Sequence, residues 1–375
     1  MHDRLPGGMP AKEFLRRHWQ RKPLLVRGAL PDVEEWRGNR RLFALAARGD
    51  VESRLVSRRG ARWSARPGPI ARAVLAQQRA TGWTLLVHGV NVHSVRAEAL
   101  LRRFAFLPQA RLDDVMVSYA APRGSVGAHY DEYDVFLVQG PGRRIWRLER
   151  PRRFAEVRDA PLRLIADFAP QEEYLLEEGD LLYLPPRWGH EGVALEPSWT
   201  YSVGFRAPRQ AEIAAALLDY VHERGFDDRI YRDPPMDPQR APAQIGTAMV
   251  RFAGAAARQI RWKRDDVLRC LGRHLTAPKH HIVFVPPRRP LPRRAFQAAL
   301  ARNLVALDPR SQFLYRGRRF FLNGEEVLAS GPQRAALSRL ADRRRLEGRR
   351  LARAGVVDLL YGWYRDGSLH LEHGE

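Results

Sequence analysis

Between residues 113 and 205 glycine and proline cut the chain into short pieces of strand character, and this punctuation limits the fold more than any other feature. Residues 117–120 read as a strand, Ala121-Pro122-Arg123-Gly124-Ser125 as a turn, and 129–138 as a second strand. Gly140-Pro141-Gly142 then turns the chain into a third strand over 144–148. After the Gly179-Asp180 turn, residues 181–184 form a buried strand that Pro185-Pro186 stops, because proline has no N–H for further pairing. Many short strands between such turns predict an antiparallel double sheet of the jelly-roll or cupin kind.

Three residues in this stretch carry the chemistry. His129 and Asp131 stand two apart in Gly127-Ala128-His129-Tyr130-Asp131, and His190 follows the Pro185-Pro186 loop. Residues two apart on a strand project from one face. A histidine returning from a distant strand would complete a facial set of two imidazoles and one carboxylate. That set suits Fe(II) with three positions left open, as in non-haem iron oxygenases. A lone His-x-Asp pair more often marks a hydrogen-bonded histidine, so the strand-and-turn context gives this one its weight.

The same parity groups Asp114, Met116 and Ser118 on one strand face, His129, Asp131 and Tyr133 on the next, and Arg144, Trp146 and Leu148 on the third. If all three faces point inward, an arginine, a serine, an acid and a tyrosine surround the metal. An arginine inside a barrel is costly unless it meets an anion. The distal carboxylate of 2-oxoglutarate would be that anion, its other end chelating iron. The competing reading places Arg144 on a solvated basic face with Arg143 and Arg147.

Four blocks extend the pattern: Leu112-Asp113-Asp114-Val115-Met116-Val117-Ser118-Tyr119, residues 127–137 around the His-x-Asp pair, Gln139-Gly140-Pro141-Gly142-Arg143-Arg144, and Tyr201-Ser202-Val203-Gly204-Phe205-Arg206. Together they resemble the JmjC-type ribosomal oxygenases of the cupin superfamily, and among these the bacterial arginine hydroxylases of large-subunit ribosomal protein sixteen. The resemblance implies a mainly β catalytic double-stranded β-helix with added helices over residues 1–207. A helical dimerisation region over 208–276 and a winged-helix domain over 277–375 would follow. It implies that His129, Asp131 and His190 are the catalytic metal ligands, holding Fe(II) for reaction with 2-oxoglutarate and O2. Arg144 and Ser118 would bind the distal carboxylate of 2-oxoglutarate, with Ser202 lining the same pocket. Asp114 and Tyr133 would receive the substrate arginine, with Met116 packed nearby. A carboxylate pairs bidentately with a guanidinium and an aromatic face stacks on it, which agrees. Arg123, Ser125 and Ala128 depart from the family's usual turn before the first ligand.

The chain has 375 residues, enough for two or three domains with their own cores. A single cysteine, Cys270, excludes an internal disulfide framework and fits a reducing cytosol. No apolar run is long enough to span a bilayer, so no membrane partner and a cytoplasmic location are expected. The net charge is +22, carried almost entirely by arginine, with lysine at positions 12, 22, 263 and 279 alone. Residues 276–375 hold 19 basic and 9 acidic side chains. That excess is compatible with a contact to ribosomal RNA.

Elsewhere the pattern predicts helices over 10–19, 42–47, 70–78 and 95–104, and strands over 24–26, 51–56 and 83–88. His18, His88 and His93 lack partners at ligand spacing and read as structural. Residues 211–224 place Ile213, Leu217, Leu218 and Val221 on one helical stripe, 229–242 read as a Pro- and Asp-rich linker, and 245–262 and 265–275 as further helices. Beyond these, 281–285 reads as a strand, 294–303, 332–346 and 352–364 as helices, 313–315 and 319–322 as a hairpin around Gly317, and 369–372 as a closing strand. His280, His281, His370 and His373 read as surface histidines. Two other functions remain compatible with the residues: a ribosomal-protein histidine hydroxylase, and a non-catalytic cupin whose winged helix targets RNA.

Overall fold

The computed structural model describes residues 3–31, 39–238, 240–279 and 282–373. They fall into two compact units, one up to Ala207 joined by Ile282 and Val283, the other from Pro208 to Lys279 and from Phe284 onward. The first unit holds eleven strands: β1 (Leu24–Val26), β2 (Ser53–Arg59), β3 (Arg62–Pro67), β4 (Trp83–Val87), β5 (Leu112–Ala120), β6 (Val135–Gln139), β7 (Arg144–Glu149), β8 (Glu172–Leu176), β9 (Leu181–Leu184), β10 (Gly189–Ala194) and β11 (Ser198–Phe205). An eight-stranded sheet runs in the order β1-β9-β6-β11-β5-β4-β2-β3, and a three-stranded sheet in the order β10-β7-β8. Every pairing in them is antiparallel.

The period-2 alternation of β5 and β11 gives each face a different task. Val115, Val117 and Tyr119 of β5 and Tyr201, Val203 and Phe205 of β11 enter a core shared with Phe14, Leu42 and Leu100 from the covering helices and Phe104 from the turn that follows one of them. Phe136 stacks within this core against Phe104 with ring centroids 4.5 Å apart, and truncating so large a buried ring costs about 3–5 kcal/mol. The opposite faces meet between the two sheets, where Val135, Leu137, Trp146, Leu148, Leu176, Leu182, Leu184 and Trp188 form a second core. Trp188 therefore packs as part of this core. The strand expected over 129–138 is shorter than its pattern suggested: regular pairing begins at Val135, and His129 makes a single isolated bridge to His190.

The second unit begins with helices Gln210–Glu223 and Thr247–Ala257, separated by a stretch without regular structure, then Arg264–Thr276 and Arg293–Leu300. Six strands follow as β12 (Asn303–Leu307), β13 (Phe313–Arg316), β14 (Arg319–Leu322), β15 (Glu325–Leu328), β16 (Arg345–Glu347) and β17 (Leu369–His373), in sheets ordered β16-β12-β17 and β13-β14-β15. Helix Gly331–Arg343 and the core of Phe296, Phe313, Phe320, Leu337, Leu360 and Trp363 bind them together. Helix Arg264–Thr276 packs so tightly on this sheet that a Cβ at Gly272 would lie 2.4 Å from the Phe321 ring. Helix Arg264–Thr276 thus packs against the strands of the same unit. Gly355, at φ +75, splits the helix expected over 352–364 into Gly348–Arg353 and Val357–Arg365. Of the strand expected over 281–285, residues 282–285 are irregular, and His280 and His281 lie outside the described residues. No helix among the described residues is long and apolar enough to cross a membrane.

Candidate metal and co-substrate site

His129 lies where the segment leading into β6 first touches β10. Its N–H donates to the His190 carbonyl at 3.0 Å, and its carbonyl accepts from the His190 N–H at 2.7 Å. This one bridge sets the two imidazoles side by side, with centroids 4.3 Å apart. Each ring is oriented through Nδ1, which lies 2.9 Å from the carbonyl two residues earlier, Gly127 for His129 and Trp188 for His190. A carbonyl only accepts, so Nδ1 carries the proton and Nε2 presents its lone pair. Gly127 is required here, because its φ is +84 and a Cβ would meet Leu164 at 2.6 Å.

Asp131 is brought in by a second clamp, the Arg187 N–H donating to its carbonyl at 2.6 Å. Its Oδ2 lies 3.7 Å from His190 Nε2, and one ligand atom from each of His129, Asp131 and His190 lies within 4.8 Å of the others. Burial, with His129 beside it, holds the His190 imidazole well below its ordinary range, at about 4. Its Nε2 is therefore free to ligate at neutral pH. Two neutral imidazole nitrogens and one carboxylate form a donor set fit for a divalent iron with open positions.

Arg144 settles the question that the sequence left open. Its neighbours Arg143 and Arg147 point outward to Glu196 and Glu173, whereas Arg144 is only 4% exposed and points into the space between the sheets. It donates to Ser118 Oγ at 3.2 Å and to Ser198 Oγ at 3.2 Å, and no described carboxylate pairs with it. Burial alone pulls its guanidinium down to about 10. A cation this deep, hydrogen-bonded only to neutral hydroxyls and a carbonyl, is suited to meet an anion. Ser202 is buried on β11 directly opposite Met116 of β5 and Leu137 of β6.

Asp114 and Tyr133 lie at a more open edge. Asp114 Oδ2 accepts the Gly89 N–H at 2.8 Å and lies 3.8 Å from His88 Nδ1. Tyr133 is 40% exposed, and its hydroxyl pKa is raised by partial burial and by the carboxylates of Asp131, Asp114 and Asp113. Asp131 and Asp114 thus act on this tyrosine in a chain whose net charge is +22, while Asp113 is already paired with Arg206 Nε at 3.2 Å. Such a spot attracts a cationic group.

A family model of the JmjC domain matches residues 99–213, and one of the ROXA-like winged helix matches 259–370. The chain is 33% identical over 331 residues to the Escherichia coli ribosomal protein uL16 3-hydroxylase, covering 88% of each protein. The chain belongs to the JmjC ribosomal oxygenases. A probable ribosomal oxygenase of Haemophilus influenzae is 37% identical over 62% of this chain and 56% of that protein. Among solved structures of ribosomal oxygenases, that of Escherichia coli YcfD superimposes with a TM-score of 0.84 at 30% identity, covering 97% of this chain and 98% of that one. A second YcfD structure, in complex with cobalt and 2-oxoglutarate, matches at TM-score 0.80 and 31% identity over 96% and 98% of the two chains. That ribosomal oxygenase thus binds a divalent metal and the diacid for which this chain's donor set and buried arginine are suited.

Ser198 and Gly89 carry no role in the sequence analysis, and His88, read there as structural, lies 3.8 Å from Asp114. Ser198 was signalled by alternation, since Ser198, Thr200 and Ser202 are polar while Trp199, Tyr201 and Val203 are not. His88 and Gly89 gave no such signal, because they meet Asp114 only through the pairing of β4 with β5.

Proposed function

We propose that this chain is an Fe(II)- and 2-oxoglutarate-dependent hydroxylase of a large-subunit ribosomal protein, acting on an arginine side chain. The observation that carries the reading is a buried, acid-free Arg144 sharing the inter-sheet space with the three-residue donor set. Fe(II), with 2-oxoglutarate and O2, supplies the oxidising power to insert one oxygen atom into an unactivated C–H bond. His129, Asp131 and His190 would hold the metal, and a set of three protein ligands would leave positions for reactants. Arg144, supported by Ser118, takes the distal carboxylate of the diacid, with Ser202 beside it, and so fixes which end faces the metal. Asp114 pairs with the substrate guanidinium, Tyr133 covers it, and Met116 packs against its aliphatic stem. A neutral imidazole substrate would leave this acidic edge without a charge to meet, which favours arginine over histidine.

A second copy of the chain is part of the proposal. Helix Thr247–Ala257 has no buried residue, yet Met249, Val250 and Phe252 on it and Ile245, Ile260 and Trp262 beside it are apolar and exposed. A homodimer would cover such a surface. The cytoplasm, where ribosomal proteins are made and assembled, is the proposed location.

The test compares ribosomal proteins from cells with and without this gene by mass spectrometry. The expected result is one ribosomal-protein arginine that carries an extra oxygen atom only when the gene is present. In vitro, Asp131→Ala should abolish succinate formation. Unchanged turnover would remove Asp131 from the site, and oxygen added to histidine would overturn the arginine assignment.

A further inference from the structure

The winged-helix part of the chain carries features that hydroxylation does not use. Residues 284–375 hold 18 basic and 9 acidic side chains. Net charge says nothing of where a partner sits. The hairpin of β13 and β14 does.

Tyr315, near the tip of that hairpin, is 40% exposed and yet immobilised. Its ring stacks on Phe320 at a centroid distance of 5.3 Å and an interplanar angle of 22°, and its hydroxyl donates to Asp342 at 3.0 Å. The next residues, Arg316-Gly317-Arg318, make the turn, with both arginines exposed and neither in an ion pair with a described residue. Arg334, exposed on helix Gly331–Arg343, is close enough to act electrostatically on the Tyr315 hydroxyl and is likewise unpaired among the described residues. Asp342 is the nearby acid, and it is occupied by the Tyr315 hydroxyl.

A ring held rigid with Arg334 on its own side, and two more available guanidinium groups at the hairpin turn one and three residues further on, matches a single strand of nucleic acid that crosses the ring and bends over the turn. The ring offers a face to one base, while the arginines reach the flanking phosphates. An acidic protein segment would use the arginines but would gain nothing from the fixed ring. We propose that Tyr315, Arg316, Arg318 and Arg334 form a binding face for single-stranded RNA. RNA is the natural choice because the relatives act on ribosomal protein.

The test titrates the full chain against a fluorescently labelled single-stranded RNA and follows anisotropy over a range of salt. Binding should weaken as salt rises. Replacing Arg316, Arg318 and Arg334 together by serine should lower affinity about tenfold or more at low salt. It should also reduce the log–log salt slope by about 2, at roughly 0.7 for each phosphate contact on a single strand. Tyr315→Leu should weaken binding by about fivefold to a hundredfold while leaving the slope in place, and Tyr315→Phe should retain binding. Melting temperature and succinate formation serve as folding controls, since none of these residues belongs to the oxygenase site. Absence of RNA binding by the unmodified protein at low salt would overturn the proposal. So would variants that bind RNA as the parent does, or a poly-glutamate of matched charge that binds as tightly as the RNA.

Discussion

Arg144→Met separates what the buried guanidinium does for the fold from what it does for the ligand. Methionine preserves much of the stem volume and removes the charge. In the protein without ligand, burial draws Arg144 from 12.5 to about 10. At about 1.4 kcal/mol per tenfold change, that is roughly 3 kcal/mol of unfavourable desolvation. The hydrogen bonds to Ser118 and Ser198 offset part of it, at about 1 kcal/mol each. Removing the charge should therefore leave the ligand-free protein as stable as before or stabilise it by about 1 kcal/mol, against the usual direction for a core substitution. With ligand the sign reverses. Losing one partner of a buried charge pair costs about 2–5 kcal/mol, so the KM for 2-oxoglutarate should rise by about thirtyfold or more. Thermal unfolding of the Mn(II)-loaded protein, with and without 2-oxoglutarate, reads both effects, since ligand stabilisation scales with the logarithm of affinity. A variant that melts several degrees lower without ligand, and keeps its 2-oxoglutarate dependence, would refute the assignment of Arg144 as an anion receptor.

Three further outcomes test separate parts of the structure. Asp114→Asn should raise the KM for the protein substrate by about tenfold or more while leaving the KM for 2-oxoglutarate unchanged, because it removes one charge from a paired contact; initial rates with each reactant varied separately decide it. Gly272→Val should destabilise the second unit by about 1–3 kcal/mol, because even a Cβ there would lie 2.4 Å from Phe321; urea unfolding measures it, and an unchanged midpoint would contradict the helix placement. The metal-free protein should lose stability as pH falls through the window from about 6.5 to about 4. In that window the unfolded chain binds a proton at His190 that the folded chain refuses, which is worth up to about 3 kcal/mol. His190→Gln should flatten this part of the stability profile, and an equally steep profile in the variant would assign the loss to other groups.

How much of this is legible in the sequence depends on how regular the backbone is at each residue. Period-2 reasoning works along β5, β7 and β11, where unbroken ladders keep parity. It groups Asp114, Met116 and Ser118 on one face and Arg144, Trp146 and Leu148 on another without deciding which way each faces; the structure buries Ser118 and Arg144 and turns Arg143 and Arg147 outward. The same reasoning was applied to His129, Asp131 and Tyr133, but no ladder runs there. Asp131 is held by the N–H of Arg187, itself a non-glycine residue at φ +68, and Tyr133 sits at the exposed edge. The donor set was readable because residue type and spacing survive without regular pairing. Its geometry was not, because it rests on one isolated bridge between His129 and His190. Neither was the support for Asp114, which comes from a neighbouring strand's end. What links the two halves of the site is the pairing of β5 with β11, where each strand sends one residue to the helix-covered core and the next toward the site. A one-residue slip there would exchange Ser118 for Tyr119 and Ser202 for Tyr201, losing the anion pocket and the core together. The hydrophobic burial that stabilises this sheet is therefore also what fixes the register of the residues proposed to meet the diacid.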